Sequence, residues 1–329
     1  MNMKTKKILV TGAGGFVGSH LVETLITRNY NIKCLVRYNS RNDKGLLAEI
    51  PKNLINDVDI VSGDLRDYDA VLQVIKGIDV VFHLAALIAI PYSYKHPKDV
   101  IDTNIIGTFN VLNAAKNLSV EKVIHTSTSE VYGTALYVPI DEKHPLQAQS
   151  PYSASKISAD KIAESFYCTY DLPVATIRPF NIYGPRQSAR AVIPTIITQA
   201  LSNKNVFLGS LLPKRDYTYV SDTIEAFIQI AQLDTTIGQT YNIGSNSDIS
   251  IGELAQKICN LTNPNCKIIQ EKNRMRPEKS EVNRLWADNS KALKEIQWSP
   301  KVTLEEGLLK TINWIRSNLQ RFQSKDYVI

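Results

Sequence analysis

The chain has 329 residues, 43% of them hydrophobic, enough for a buried core in one large domain or two smaller ones. Its formal charge of +6 is mild and spread along the sequence, which suits anionic small ligands and argues against nucleic-acid binding. The four cysteines (Cys34, Cys168, Cys259, Cys266) form no CxxC pair and have no histidine cluster beside them, so ordinary thiols are expected, with no disulfide framework and no metal site.

The N-terminal "MNMKTKKILVTG" is basic but runs straight into a glycine turn, without the apolar centre of a signal peptide. The longest apolar run, "VVFHLAALIAI", is too short to cross a bilayer. A soluble, cytoplasmic protein without a membrane partner is expected. "KILVTG" predicts a first strand and "FVGSHLVETLITRN" the helix after it. "IKCLVR", "VDIVSGDL", "VVFHLAA", "KVIHTSTS" and "PVATIRPF" follow as strands, separated by helices such as "DTNIIGTFNVLNAAKN". Continuous apolar strands alternating with helices predict a parallel sheet covered on both faces. After Arg178 the elements become shorter and mixed. Ser250 with Glu253, and Thr303 with Glu306, predict two helix starts with capping boxes. The expected fold class is α/β: a doubly wound parallel (Rossmann) sheet with a smaller C-terminal α/β substrate domain. The dinucleotide-binding part is expected over 1–178 plus about 216–240. The nucleotide-sugar part is expected over about 179–215 and 241–329, with a cleft at the strand C-termini.

"TGAGGFVG" places Gly12, Gly15 and Gly18 three residues apart between the first strand and first helix. Glycines there permit a tight turn and close backbone approach to a pyrophosphate on the helix N-terminus, so dinucleotide binding is the favoured reading over a structural turn. The second strand ends in Arg37 where an acid would accept a bond from a ribose 2′-hydroxyl; Arg37, with Arg41 nearby, instead matches a 2′-phosphate, which favours NADP while leaving NAD open. Asp64 of "SGDL", at the end of the third strand, can accept from an adenine amino group. In "SPYSASKISADK", Tyr152 and Lys156 stand four apart and share a helix face. Free tyrosine, with a pKa of about 10, is a poor base at neutral pH, and a neighbouring ammonium favours its phenolate. "HTSTSEVYG" ends the fifth strand with hydroxyls and one carboxylate, Glu130, which reads either as a surface residue or as a catalytic base.

Taken together, "TGAGGFVG", "GDL", "HLAA", "TNIIGT", "TSEVYG", "YSASK", "RPFNIYGPR", "RDYTYVSD" and "RPEKSEV" make the whole chain resemble the extended short-chain dehydrogenase/reductases of the NAD-dependent epimerase/dehydratase family. "TSE" followed by "PYSASK" is most similar to the nucleotide-sugar 4,6-dehydratases. "ALIAIPYSY" and "GPRQSARAVIPTIITQAL" resemble the branch acting on nucleotide-linked N-acetylglucosamine in legionaminic acid pathways. The resemblance implies a tightly bound nicotinamide cofactor, regenerated each cycle and held by Gly12, Gly15, Phe16, Val17, Gly18, Arg37, Asp64, Leu65, Leu84, Ala85, Ala86, Tyr152 and Lys156. It implies that Thr128 and Tyr152 meet the C4 oxygen and that Glu130 takes the C5 proton, making a 4-keto-6-deoxy sugar from UDP-N-acetylglucosamine or the GDP-linked sugar. The dTDP-glucose dehydratases carry Asp-Glu where this chain has Ser129 and Glu130. Serine is a poor acid, so Glu130 is expected to pass its proton to the leaving oxygen through Ser129 or water, with Tyr92 a weaker candidate.

Asn181, Arg215 and Arg276 are carried over as diphosphate contacts, and Val192 and Ile193 as neighbours of the nucleobase. An ordinary ion pair is nearly as good an account of Arg276. Asn104 is expected to bond backbone beside the site, and His83 and His125 to be strand residues with hydrogen-bond partners. The family also implies a homodimer, through a four-helix bundle of the helix around Asn104–Asn117 and the one bearing Tyr152. A UDP-glucuronate decarboxylase and a 4-epimerase are the enzymatic rivals, and a cofactor-binding regulator the non-enzymatic one. "PYSASK" favours the dehydratase over the decarboxylase, Glu130 speaks against the epimerase, and the retained Thr128, Glu130, Tyr152 and Lys156 favour an enzyme over the regulator.

Overall fold

The computed structural model describes residues 1, 3–202 and 205–322. Six strands, β1 (Lys7–Thr11), β2 (Asn31–Arg37), β3 (Asp59–Gly63), β4 (Val80–His83), β5 (Lys122–Thr126) and β6 (Val174–Pro179), alternate with helices. They are α1 (Phe16–Thr27), α2 (Lys52–Ile55), α3 (Tyr68–Ile75), α4 (Ile90–Lys95), α5 (Pro97–Ile101), α6 (Gly107–Asn117) and α7 (Pro151–Tyr170). The second half adds β7 (Asn181–Tyr183), α8 (Val192–Ser202), β8 (Asn205–Leu208), β9 (Lys214–Arg215), β10 (Tyr217–Tyr219), α9 (Val220–Gln232) and β11 (Thr240–Ile243). It closes with β12 (Ile249–Ser250), α10 (Ile251–Thr262), β13 (Lys267–Gln270), β14 (Arg284–Leu285), α11 (Ser290–Ile296) and α12 (Leu304–Ser317).

Seven strands form one sheet in the order β11-β6-β5-β4-β1-β2-β3, and every pairing is parallel. This is the doubly wound Rossmann arrangement. The period of two in each strand sends side chains to opposite faces. On β1, Ile8 and Val10 join the core under α1 and α9, with Leu21, Leu25, Phe227 and Ile228. Leu9 faces the other way, toward Val74 of α3, Leu112 of α6 and Phe166 of α7. Both faces are thereby covered, and no helix of the described residues is long and apolar enough to cross a membrane.

The sheet's second contribution, expected over about 216–240, extends to Ile243, because β11 pairs with β6 from Thr240↔Thr176 to Ile243↔Pro179. Smaller elements sit beyond the strand C-termini: β7 pairs with β10, β8 with β13, and β9 with both β12 and β14. Capping boxes start α10 at Ser250/Glu253 and α12 at Thr303/Glu306, as the sequence predicts. β1 has β2 on one side and β4 on the other, so the chain reverses direction of travel between β1 and β4. A crevice opens at such a switch point, outside the strand C-termini.

Candidate active site

The strand ends border one continuous cavity of about 890 Å³. Gly12, in the turn between β1 and α1, has φ +70°, and a Cβ there would lie 2.7 Å from the Ala85 amide nitrogen in the loop after β4. At Gly18 a Cβ would meet the Gly12 carbonyl oxygen at 2.1 Å. The first glycine lets the two loops touch at the switch point, and the third lets α1 lie on its own turn. Gly15 caps α1 without any side-chain hydrogen bond, so the helix N-terminus faces the cavity with its amides. This cradle fits a dinucleotide pyrophosphate.

Arg37 ends β2 on the cavity wall, exposed and without an ion pair among the described residues. Arg41 lies off the wall. Asp64 is on the wall, but Arg66 grips its carboxylate, with Nη2 at 2.6 Å and Nε at 3.0 Å. That hydrogen bond, against partial burial, holds the Asp64 carboxyl below the usual carboxylate range. Arg66 also pairs with Asp99, so its charge is spent locally, while Arg37 and Lys44 stand on this end of the wall without an ion pair among the described residues. Leu65, Leu84, Ala85 and Ala86 complete this stretch of wall with Phe16 and Val17.

At the reactive end, Thr128 caps a short 3-10 turn, Ser129–Tyr132, its Oγ1 accepting from the Glu130 amide at 3.2 Å. Thr128, Ser129 and Glu130 therefore leave β5 on a tight turn that faces the cavity. Tyr152 approaches from the first turn of α7, which Ser150 and Ser153 fix by a capping box with Pro151 at the first position. Burial pushes the Tyr152 phenol pKa up; a hydrogen bond with Thr128 works the other way, and the Glu130 and Asp160 charges raise it further.

Lys156 is set back from the other residues. It is 4% exposed, lies behind the wall, and donates its ammonium to the Thr126 carbonyl at 2.6 Å. Burial pushes its pKa down to about 8, opposed by Asp160. The ammonium is thus engaged by backbone one turn from the phenol on the same helix. Apart from Lys156, Arg41 and Tyr92, the predicted catalytic, cofactor and substrate residues line the cavity.

Asn104 sits in a π-turn, Asp102–Ile106, a distortion frequent at functional sites. Its amide accepts from Leu87 N at 2.8 Å, donates to Leu87 O at 2.9 Å, and reaches Ser155 Oγ at 3.0 Å. It clamps the loop after β4 to α7. His83 bridges Thr11 and Thr108, while His125 bonds Asp160. Tyr92 donates to Asp99 and stands off the wall.

The far end carries Asn181, Val192, Ile193, Arg215 and Arg276. Arg215 and Arg276 share the Glu281 carboxylate at 3.3 and 3.6 Å, so Arg276 has an ion pair and a place on the wall at once. Sequence reasoning did not single out Arg190, Phe207, Arg274 or Glu281, which line the same end. Arg190 and Glu281 lie inside the quoted stretches "GPRQSARAVIPTIITQAL" and "RPEKSEV", where their residue type gave no signal of its own, and Phe207 and Arg274 lie outside any motif.

Residues 9–311 match the family described as GDP-mannose 4,6 dehydratase. The chain is 31% identical to dTDP-D-glucose 4,6-dehydratase of Mus musculus over 98% of this chain and 92% of that protein. It is 34% identical to UDP-N-acetyl-alpha-D-glucosaminuronate decarboxylase of Bacillus cytotoxicus, over 94% of this chain and 98% of that one. The structure is similar to DesIV, a dTDP-glucose 4,6-dehydratase from Streptomyces venezuelae solved with NAD bound, with a TM-score of 0.87 at 27% identity over 96% of this chain and 99% of that one. A glycine cradle at the switch point, a Thr-Ser-Glu turn facing a Tyr-x-x-x-Lys helix, and these likenesses along nearly the full length agree: the chain belongs to the GDP-mannose 4,6-dehydratase family of the extended short-chain dehydrogenase/reductases.

Proposed function

We propose that this enzyme is a nucleotide-sugar 4,6-dehydratase, a hydro-lyase acting on UDP-N-acetylglucosamine or the GDP-linked sugar in a legionaminic acid type pathway. Relatives of similar identity include dehydratases, a decarboxylase and 4-epimerases, so identity alone does not choose among them. The observation that carries the reading is Glu130, a carboxylate on the cavity wall whose backbone is tied to Thr128, itself bonded to Tyr152. An epimerase at C4 needs no base at C5, and Glu130 supplies one.

In this reading Tyr152 takes the C4 hydroxyl proton while Thr128 holds the C4 oxygen. A nicotinamide dinucleotide supplies the hydride acceptor for C4 and the hydride returned to C6, so no reductant is consumed. Once C4 is a ketone the C5–H bond is acidic, and Glu130 removes that proton. The C6–O bond breaks, C5 and C6 become doubly bonded, and the proton held by Glu130 leaves with the hydroxyl as water; once C6 has its hydride, C5 takes a solvent-derived proton by way of Glu130, and Tyr152 releases the C4 hydroxyl proton to solvent. Ser129 orients or relays that proton, since a serine hydroxyl is too weak an acid to supply it. Return of the proton from a single carboxylate requires departure on the same face as abstraction.

Arg37, without an ion pair among the described residues, supports NADP over the NAD of the DesIV structure. Asn181, Arg215 and Arg276 would hold the diphosphate, and Val192 and Ile193 would border the base. Exposed Ile106, Phe109, Tyr167 and Tyr170 support a homodimer through α6 and α7, and the reading places the enzyme in the cytoplasm. Incubation with a panel of UDP- and GDP-sugars, followed by mass spectrometry, tests the proposal. Loss of one water from one of them is expected; isomerisation without loss of mass would overturn it.

A further inference from the structure

Asp160 lies one helical turn beyond Lys156 on α7, so the two side chains share a face. It is 4% exposed, and its oxygens accept from three side chains on the sheet. Oδ1 takes His125 Nε2 at 3.0 Å; Oδ2 takes Ser127 Oγ at 2.8 Å and the Arg178 guanidinium through Nε at 3.1 Å and Nη2 at 3.0 Å. A carboxylate only accepts, so the His125 proton resides on Nε2. Arg178 Nη1 then donates to the Tyr132 hydroxyl at 3.0 Å, which donates to Asn242 Oδ1 at 2.7 Å; Asn242 Nδ2 ends the chain on the Ile140 carbonyl at 3.0 Å. Tyr132 is two residues after Glu130, in the same 3-10 turn.

One buried carboxylate therefore links the helix that carries Tyr152 and Lys156 to the turn that carries Thr128 and Glu130, through β5 and β6. A dehydration of this kind needs both groups of residues aimed at adjacent carbons of one sugar ring, and a misplacement of about 1 Å can cost 10²-fold. We propose that Asp160 is a positioning residue that holds the oxidation pair and the C5 base in mutual register. This rests on the proposed function only for the identity of the C5 base.

Lys156 is faced by His83 from β4 and His125 from β5, both held neutral by burial, and by Tyr152 and Asp160 on its own helix, with Arg178 of β6 behind Asp160. Burial works to raise the Asp160 pKa, but His125, Arg178 and Ser127 together hold it low, so it stays an anion. Asp160 is the group that counters the burial cost of the ammonium.

The test replaces Asp160 by Asn in the full chain and reads two things. The first is the Lys156 titration midpoint by ¹³Cε NMR of lysine-labelled protein, with Lys156→Met to assign the resonance. The second is kcat against KM on the nucleotide sugar that the wild type turns over. Because Asp160→Asn strands the Arg178 charge in the interior, Asp160→Asn/Arg178→Met is measured in parallel to remove both charges. In the folded variant the Lys156 midpoint is expected to fall by about one pH unit. kcat is expected to fall about 10–100-fold with KM within about threefold. A folded variant with the wild-type midpoint and kcat within about threefold of wild type overturns the assignment. The NMR arm needs no substrate, so a wild type that dehydrates no sugar defeats the proposed function while leaving this test intact.

Discussion

Lys156→Met is expected to make the protein more stable and nearly inactive. The ammonium occupies a site 4% exposed, and its pKa there is pushed down from 10.5 to about 8. That difference corresponds to about 3 kcal/mol of folding free energy spent on keeping the charge inside. Methionine fills similar volume without a charge, at the loss of the bond to the Thr126 carbonyl, worth about 1 kcal/mol. Asp160 keeps Arg178, His125 and Ser127 as partners, so no carboxylate is stranded. The net gain is about 2 kcal/mol, or a rise in Tm of about 3 °C for a chain of this length. The sign with pH is fixed by the direction of the shift. Between pH 8 and 10.5 the unfolded lysine binds a proton that the folded one has released, so wild-type stability rises with pH across that window. The variant's advantage is then largest below pH 8 and gone above about pH 10.5. Lys122, also pushed down to about 8 by burial, is common to both proteins and cancels in the difference. Thermal melts of both proteins at pH 7 and pH 10.5, without nucleotides, make the comparison. A variant that melts below wild type at pH 7, or an advantage independent of pH, refutes the reasoning. Turnover is expected to fall about 10²–10⁴-fold.

Glu130→Gln is isosteric and cannot accept a proton, so nicotinamide reduction in a single turnover is expected without release of water. Tyr152→Phe is expected to abolish both steps, and wild-type dehydration by Glu130→Gln would remove that residue from the mechanism. Solvent deuterium is expected at C5 with the wild type and not with the glutamine variant, read by mass spectrometry. Dinucleotide released on denaturation is expected to be NADP, and Arg37→Asp is expected to shift the preference to NAD; NAD alone from the wild type would refute the role of Arg37. Gly18→Ala drives a methyl against the Gly12 carbonyl, where a Cβ would stand 2.1 Å away, and is expected to cost about 1–3 kcal/mol, visible as a lowered Tm. An unchanged Tm would show that α1 can slide away from its turn.

The parts legible in the sequence are those whose cause is local. The glycine turn is dictated by backbone conformation within seven residues, Gly12 to Gly18, and the capping boxes at Ser250 and Thr303 by contacts three residues long. The parallel sheet announces itself because strands buried on both faces read as near-continuous apolar runs. Glu130 could be singled out because a carboxylate is anomalous at the end of such a strand. Asp160 was in plain view inside "SPYSASKISADK" and carried no such anomaly, since an acidic residue in a long helix usually faces water. Its meaning depends on His125, Ser127 and Arg178, 18 to 35 residues away, which only the pairing of β5 with β6 brings under α7. The same distance hid the placement of Lys156. A spacing of four predicts that phenol and ammonium share a helix face, but not that the ammonium turns behind the wall to a strand carbonyl. Helix periodicity fixes direction around an axis. What a charged group meets in that direction is decided by the neighbouring strand, and the cost of burying it is what the Asp160 network offsets.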